Sequence, residues 1–225
     1  MARSPDLRSQ VVRSPQVARP SPVARFFYAL RPDARAAAAL GHLATGLAAR
    51  LGGRPLDAHD IHLTLVFVGE RPLGDAPMLA SLMTGLASPA QPLAAAESLA
   101  MARLGSFGRG LLWAGPAAAP PDWPSALAIA LQQRLRAAGI GFDERALRLH
   151  ATLVRGARNR QARAPTDPAP AAMSALNTAF DEFAPTLPIV PTGWTLALGR
   201  SGGDSTPQRR YHWRKAQARP PASGT

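Results

Sequence analysis

The chain has 225 residues, of which 46% are hydrophobic and 18% charged, enough for one globular domain or for two small lobes that share a core. It contains no cysteine, which excludes disulfides, cysteine–zinc sites and a thiol nucleophile. No apolar run approaches the roughly 20 residues of a membrane-spanning helix, and no secretory signal is recognisable, so we expect a cytoplasmic protein with no membrane partner. The net charge of +12 favours polyanionic partners such as nucleic acid.

The two ends of the chain have polar compositions. Residues 2–24 mix Arg, Ser and Pro without a sustained apolar period, and residues 215–225 form a second polar stretch that contains proline. Such compositions are typical of disordered segments. An RNA-attracting arm, a transit peptide and a start codon placed too early are other interpretations of the first segment. We expect disordered tails at 1–24 and 215–225 around a folded domain at 25–214.

Between the tails, strand and helix patterns alternate. A strand is predicted at 25–30, and a helix over 34–53 that ends at Gly52 and Gly53. The elements that follow are a strand at 61–68, a helix near 75–87, strands at 93–104 and 110–115 with a turn at 106–110, a helix at 121–139, a strand at 147–154, a loop at 156–172, a helix at 173–183, a strand at 193–200 and a segment at 209–213 that pairs back on it. Because several neighbouring strands are joined by short turns, the pattern favours an α+β fold with antiparallel or mixed sheets.

Two of the predicted strands contain the same motif, H-x-T-L. The first has His62 and Thr64, and the second has His150 and Thr152. Residues i and i+2 of a strand share a face, so each histidine should lie beside its threonine, with Arg148 on the same face of the second strand. A long helix precedes the motif in each half of the chain, which indicates an internal duplication. Two such strands side by side would line one cleft with two imidazoles and two hydroxyls.

The other face of each motif strand is predicted to be apolar and to pack on the core. In the first strand this face carries Ile61, Leu63, Leu65 and Phe67, and in the second it carries Leu149, Ala151 and Leu153. If the second strand is regular, the same alternation puts Arg155 on the face opposite His150.

Two histidines with two threonines suit acid–base chemistry at a phosphate. Free imidazole titrates near pH ~6.5, so one ring can act as a general base while the other acts as a general acid. Threonine hydroxyls can donate hydrogen bonds to the non-bridging oxygens of a phosphate. Two histidines alone are a poor set of zinc ligands, so we expect no metal and no cofactor. A metal site that includes Asp60, on the same face as His62, is the alternative.

The sequence resembles the 2H phosphoesterase superfamily, and within it the RNA 2′,3′-cyclic phosphodiesterases, also called 2′-5′ RNA ligases. The resemblance is carried by RFFYALRPDARAAAAL (25–40), DIHLTLVFVGE (60–70), LGSFGRGLLWAG (104–115), LRLHATLVR (147–155), and WTLALGRS (194–201) followed by Tyr211. The chain departs from the family at Leu149, where proline is usual, and at PQRR before Tyr211, where a glycine-containing turn is usual. Both departures concern substrate preference rather than the class of enzyme.

The resemblance implies two pseudo-symmetric lobes with antiparallel or mixed sheets that face a central cleft, with helices on the outside, in a monomeric protein. It implies metal-independent hydrolysis of RNA 2′,3′-cyclic phosphate ends to 2′-phosphomonoesters, with 2′-5′ RNA ligation as a second activity. The expected partner is RNA with such ends, for example tRNA fragments.

The resemblance also implies roles for the motif residues. His62 would be the proton donor to the leaving ribose oxygen, and His150 the base that activates water. Thr64 and Thr152 would hold the phosphate. The candidate substrate-binding residues are Arg148 and Arg155. Phe27, Phe107 and Tyr211 are candidates for stacking on a base, although each also fits a position in the core.

Two other functions stay open from the sequence. A phosphodiesterase acting on a small cyclic nucleotide would use the same site, and comparing its turnover of a mononucleotide and of RNA separates the two. A non-catalytic RNA-binding module would use the basic tails instead. Its affinity for RNA would survive the loss of both histidines.

Overall fold

The computed structural model describes residues 22–86, 99–108, 110–117, 120–157, 169–202 and 210–215. Nearly all of the two predicted tails, half of the predicted strand at 93–104 and most of the predicted loop at 156–172 lie outside these residues. The predictions made for those segments therefore stay predictions.

The described elements follow the predicted alternation of strands and helices. In chain order they are β1 (Val23–Pro32), α1 (Ala34–Leu51), β2 (Arg54–Pro55), β3 (Leu63–Pro72), α2 (Ala76–Ser81), β4 (Arg103–Phe107), β5 (Leu111–Gly115), α3 (Trp123–Ala137), β6 (Ala151–Arg155), α4 (Ala169–Phe183), β7 (Trp194–Ser201) and β8 (His212–Lys215). Short 3-10 helices occur at Ala58–Asp60, Leu73–Asp75 and Ala184–Thr186. Helix α1 begins after Asp33, whose carboxylate accepts a hydrogen bond from the Ala36 amide, and it ends before Gly52, whose φ of 75° favours glycine.

Several boundaries differ from the predicted ones. Strand β1 begins at Val23 and buries Ala24, so the folded domain starts before residue 25. Helix α2 ends at Ser81, and turns occupy the rest of the predicted helix up to residue 86. Strand β6 begins only at Ala151, the first of its residues to pair with neighbouring strands, so the predicted strand residues 147–150 precede it.

The strands form one antiparallel sheet, which confirms the α+β class. Its order is β4-β5-β6-β3-β1-β7-β8, and the short strand β2 pairs with β6 beside β3. The two motif strands lie at the centre, where β3 and β6 join the two halves of the sheet through the pair Leu63 and Ala151. The sheet topology therefore brings the two H-x-T-L motifs together.

Each half of the chain contributes a helix that packs on the motif strand of the other half. Helix α1, which precedes β3, contacts β6, and α3, which precedes β6, contacts β3. Most apolar side chains of the two motif strands, including Leu63 and Leu153, are buried in this core. The opposite face, which carries the histidines, is left to form a cleft. Among the described residues, no helix is long and apolar enough to cross a membrane.

Candidate active site

The pairing of Leu63 with Ala151 sets the geometry of the cleft. Continued by one residue in each direction, this antiparallel register puts Thr152 opposite His62 and Thr64 opposite His150. Directly opposed residues have their Cβ atoms about 5 Å apart, and these four side chains point away from the core face. The structure thus brings the two predicted histidines and the two predicted threonines together.

Both histidines make the same hydrogen bond to the backbone. The Nδ1 atom of His62 lies 2.6 Å from the carbonyl oxygen of Asp60, and that of His150 lies 2.7 Å from the carbonyl oxygen of Arg148. A carbonyl oxygen only accepts hydrogen bonds, so each Nδ1 carries the proton and donates it. Each ring is held in one orientation, and its Nε2 atom is left to give or take a proton.

The surroundings of the two rings differ. His62 is 7% exposed and stacks on Phe27, with ring centroids 5.1 Å apart. The rings of Tyr211 and Trp213 are steeply inclined to it, with centroids at 5.0 and 5.1 Å from that of His62. His150 is only half-buried, with Phe107 edge-on at 4.9 Å. The first histidine is therefore enclosed by aromatic rings, whereas the second borders the open cleft.

This difference in burial orders the two pKa values. Burial lowers the pKa of His62 to about 4, against the raising effect of its hydrogen bond to Asp60, and the positive charges of Arg155, His150 and Arg31 lower it further. Burial also lowers the pKa of His150, assisted by Arg155 and opposed by the hydrogen bond to the Arg148 carbonyl. In the free protein, His62 is neutral at pH 7 and is the harder of the two to protonate.

A β-bulge changes the face of Phe67. In the pairing of β3 with β1, Thr64 and Val66 are paired with consecutive residues of β1, and Leu65 between them has no partner. The extra residue reverses the alternation of faces beyond it. Phe67, predicted on the core face, is instead 49% exposed and packs against Phe27 at 5.9 Å. The prediction for Phe67 was wrong because it assumed a regular strand.

The second motif strand has a bulge at the equivalent position. In the pairing of β6 with β5, Leu153 is skipped between Thr152 and Val154. Arg155 therefore returns to the face of the histidines, and its Nη2 atom donates a hydrogen bond to the Tyr211 hydroxyl at 3.1 Å. Its charge lowers the pKa of both histidines. A regular strand would turn Arg155 away from the site, and the bulge corrects that expectation.

An open cleft of about 620 Å³ extends from Thr64 and His150 toward Phe67. The exposed Arg148 lines it, as does Phe107. Arg148 thus borders the cleft, in addition to holding His150 through its carbonyl oxygen. The lining is mainly hydrocarbon and aromatic, with arginine at its rim, which suits a nucleobase next to a phosphate.

Arg31 and Trp213 also border the site, although no sequence motif marks them. The guanidinium of Arg31 lies 4.8 Å from the centre of the Trp213 ring, and its Nη2 atom donates to the His59 carbonyl oxygen at 3.0 Å. Both residues border His62, one through its charge and the other through its ring. The signal that could have indicated them is their position, Arg31 in RFFYALRPD and Trp213 close to Tyr211 in RRYHW, since both segments contain residues of the family resemblance.

Asp60 is the alternative metal ligand beside His62. Its carbonyl oxygen holds the ring of His62, while Oδ2 of its carboxylate accepts a hydrogen bond from the Arg210 amide at 3.1 Å. Within the described part of the chain, no three His, Cys, Asp or Glu side chains are grouped so as to hold a metal ion.

Comparison with known proteins finds a similar family. Residues 30–111 match the family model of the LigT-like phosphoesterases. Over these residues the chain is similar to that family. The matched residues include the first motif and end before the second. A comparison with curated proteins finds no match.

The fold of the chain is also found in solved structures. Escherichia coli LigT in complex with 3′-AMP is 21% identical, with a TM-score of 0.56 over 87% of this chain and 96% of that chain. Its apo form is 22% identical, with a TM-score of 0.55 over 88% and 96% of the two chains. A protein from Thermus thermophilus is 22% identical, with a TM-score of 0.52 over 86% and 95%. These similarities show that the LigT fold extends over nearly the whole described chain.

Proposed function

We propose that this LigT-like phosphoesterase hydrolyses RNA 2′,3′-cyclic phosphate ends to 2′-phosphomonoesters, with His62 and His150 as the acid–base pair. The observation that carries the proposal is the cross-strand arrangement of two H-x-T-L motifs in one cleft, with both Nδ1 atoms held by backbone carbonyls. Both Nε2 atoms are thereby free for proton transfer, and two hydroxyls lie beside them for the phosphate oxygens.

The reaction needs two proton transfers and no further group. One imidazole takes a proton from water as the water oxygen bonds to phosphorus. The bond between phosphorus and O3′ then breaks, and O3′ receives a proton from the other imidazole. Thr64 and Thr152 donate hydrogen bonds to the non-bridging oxygens, whose negative charge grows in the transition state. In 2′-5′ ligation, the 5′-hydroxyl of a second RNA takes the place of water.

The assignment of the two roles is a separate question. The resemblance makes His62 the proton donor. In the free protein, however, His62 is the ring that is harder to protonate, so His150 is better supplied with a proton. A bound phosphate changes this balance, since its negative charge raises the pKa of a neighbouring histidine, and most strongly where water is excluded. We propose that His62 becomes the donor in the substrate complex.

Several features of the described residues support an RNA substrate. Arg148 and Arg155 flank the histidines, and the half-exposed Phe67 offers a surface on which a base can stack. The net charge of +12 favours a polyanion. E. coli LigT, which has the same fold, has been crystallised with 3′-AMP, with ATP, with NADP+ and with phosphate. We further propose that the protein acts as a monomer, because one chain supplies both motifs.

The deciding experiment is incubation with an oligonucleotide that ends in a 2′,3′-cyclic phosphate, with EDTA present, followed by identification of the product. The proposal expects a 2′-phosphate, and no turnover by the His62→Ala/His150→Ala double variant. Turnover of a cyclic mononucleotide but not of RNA would instead indicate a small-molecule phosphodiesterase. RNA binding without turnover, retained by the double variant, would indicate a binding module. Activity lost in EDTA and restored by one divalent ion would contradict the metal-free mechanism.

A further inference from the structure

The antiparallel pairing of the two motif strands gives the cleft two unlike ends. The chain runs from His62 into β3 and on to Phe67, and it runs the other way from His150 into β6 and on to Arg155. The bulges return Phe67 and Arg155 to the face of the histidines. One end of the cleft therefore carries an aromatic ring and the other a guanidinium group, with the histidine pair between them.

A basic pocket of about 360 Å³ lies at the Arg155 end. Arg54 of β2 is paired directly with Arg155, so the two side chains share a face, and Arg210 lines the same pocket. Among the described residues, none of these three guanidinium groups forms an ion pair. The Nε atom of Arg155 is buried there without a hydrogen-bond partner.

Like charges directly opposite each other on paired strands are destabilising unless an anion offsets them. The pocket also contains two carboxylates, Asp57 and Asp60. Asp57 accepts a hydrogen bond from the His59 amide, and Asp60 accepts one from the Arg210 amide and is attracted by Arg31 outside the pocket. With Asp60 offset by Arg31, the pocket keeps an excess of positive charge and several unused donors.

The shape of a nucleotide matches the two ends of the cleft. In a 2′,3′-cyclic phosphate, C2′ is bonded to C1′, which bears the base, and C3′ is bonded to C4′, which bears C5′ and its phosphate. The base and the 5′-phosphate therefore leave the cyclic phosphate in opposite directions. With the cyclic phosphate at the histidine pair and the base toward Phe67, the 5′-phosphate is directed toward Arg54 and Arg155.

We propose that Arg54, Arg155 and Arg210 form a subsite for the 5′-phosphate of the nucleotide whose cyclic phosphate is opened, an inference that rests on the proposed function. Arginine suits this task because its fork of donors matches phosphate oxygens. The phosphate belongs either to a 5′-phosphorylated mononucleotide or to the diester that joins the terminal nucleotide to an RNA chain. The same orientation places O3′ at the end of the cleft where His62 lies, and O2′ toward His150.

The test compares three substrates with the full chain: adenosine 2′,3′-cyclic phosphate, its 5′-phosphorylated form, and a diadenosine dinucleotide that ends in the same cyclic phosphate. We expect Arg54→Gln and Arg210→Gln each to lower kcat/KM on the order of tenfold for substrates with a 5′-phosphate group, the scale of one charged hydrogen bond. The nucleoside cyclic phosphate should be turned over unchanged, which also shows that the variants are folded. Arg54→Lys should restore part of the loss.

Arg25→Gln is the matched control, since Arg25 is an exposed arginine near the start of β1 that forms an ion pair with Glu70. It should not discriminate among the three substrates. Loss on the mononucleotide or on the dinucleotide alone identifies the source of the phosphate. Equal effects of Arg54→Gln and Arg210→Gln on all three substrates, or no effect on any, would overturn the subsite and leave the proposed function standing. A wild-type protein that opens none of the three would overturn both.

Discussion

His62 and His150 make the same backbone hydrogen bond, but only His62 is enclosed by other side chains. Each Nδ1 donates to the carbonyl oxygen of the residue two places earlier, at 2.6 Å for His62 and 2.7 Å for His150. The rings of Phe27, Tyr211 and Trp213 surround His62, whereas His150 borders the open cleft. The two halves of a near-symmetric site thus offer unequal environments, and this inequality has measurable consequences.

The first consequence is a loss of stability in acid. The pKa of His62 is about 4 in the folded protein, against about 6.5 in the unfolded chain, so the ring is neutral in both states above pH 6.5. As the pH falls from 6.5 toward 4, the unfolded chain takes up a proton that the folded protein does not, and unfolding becomes more favourable. We expect this group alone to remove about 3 kcal/mol over that range.

Urea unfolding at pH 7.5 and pH 4.5 measures this effect. A His62→Gln variant cannot titrate at this position, so its stability should fall less between the two pH values. His42→Gln, a change of an exposed histidine, is the matched control and should lose as much stability as the wild type. If His62→Gln and His42→Gln show the same acid loss, His62 does not stay neutral in the folded protein.

The second prediction concerns the histidine pair as a unit. Replacing either His62 or His150 with alanine should lower kcat for a cyclic phosphate on the order of 10²-fold or more, the usual scale for a positioned acid or base. Removing the second histidine as well should lower kcat by less than the first removal did, because neither ring works efficiently without the other. Wild-type turnover should show a bell-shaped pH dependence. Near-normal turnover by both single variants would refute the catalytic interpretation.

The third prediction concerns the two threonines. Thr64→Val and Thr152→Val keep the shape of the side chain and each remove one hydrogen bond to the phosphate, while proton transfer is left in place. Each should cost about tenfold in kcat/KM, less than either histidine loss. Steady-state kinetics of the two variants beside the histidine variants would show this order. A threonine variant as inactive as His150→Ala would mean that its hydroxyl takes part in proton transfer.

The fourth prediction separates the acid from the base. A substrate with an activated leaving group needs no protonation of that group, so it should rescue the variant that lacks the acid but not the variant that lacks the base. We expect rescue of His62→Ala, because the proposed orientation of the ribose puts O3′ beside His62. Comparing rates for activated and natural substrates in both variants measures this. Rescue of His150→Ala alone would reverse the two roles.

Local pattern was enough to predict the four motif residues. The alternation of faces needs only residues i and i+2, so His62 with Thr64, and His150 with Thr152, share a face even where the histidine precedes the strand proper. Helix α1 also followed from local signals, since Asp33 and Gly52 bound it. The 3.6-residue and two-residue periods are properties of the chain itself, and they carry over directly into the structure.

The alternation of faces gave the wrong face for Phe67 and for Arg155, because each motif strand has a bulge. Bulges at Leu65 and Leu153 are visible only in the pairing with β1 and β5. The register between strands is set by packing across the sheet, and one extra residue reverses every face beyond it. Since no signal within either strand marks the bulge, the sequence could not show that these residues rejoin the site.

By itself, the sequence determined the α+β class, most element positions and the pair of H-x-T-L motifs, because short-range periodicity encodes them. Only the tertiary structure decided the unequal burial of His62 and His150, the cross-strand pairing of Arg54 with Arg155, and the two unlike ends of the cleft. These features depend on residues that are far apart in the chain. For example, Phe27 and Tyr211 both pack against His62, although one lies near the start of the chain and the other near its end. Their physical cause is packing between distant segments, which determines desolvation and charge proximity and which no local pattern records.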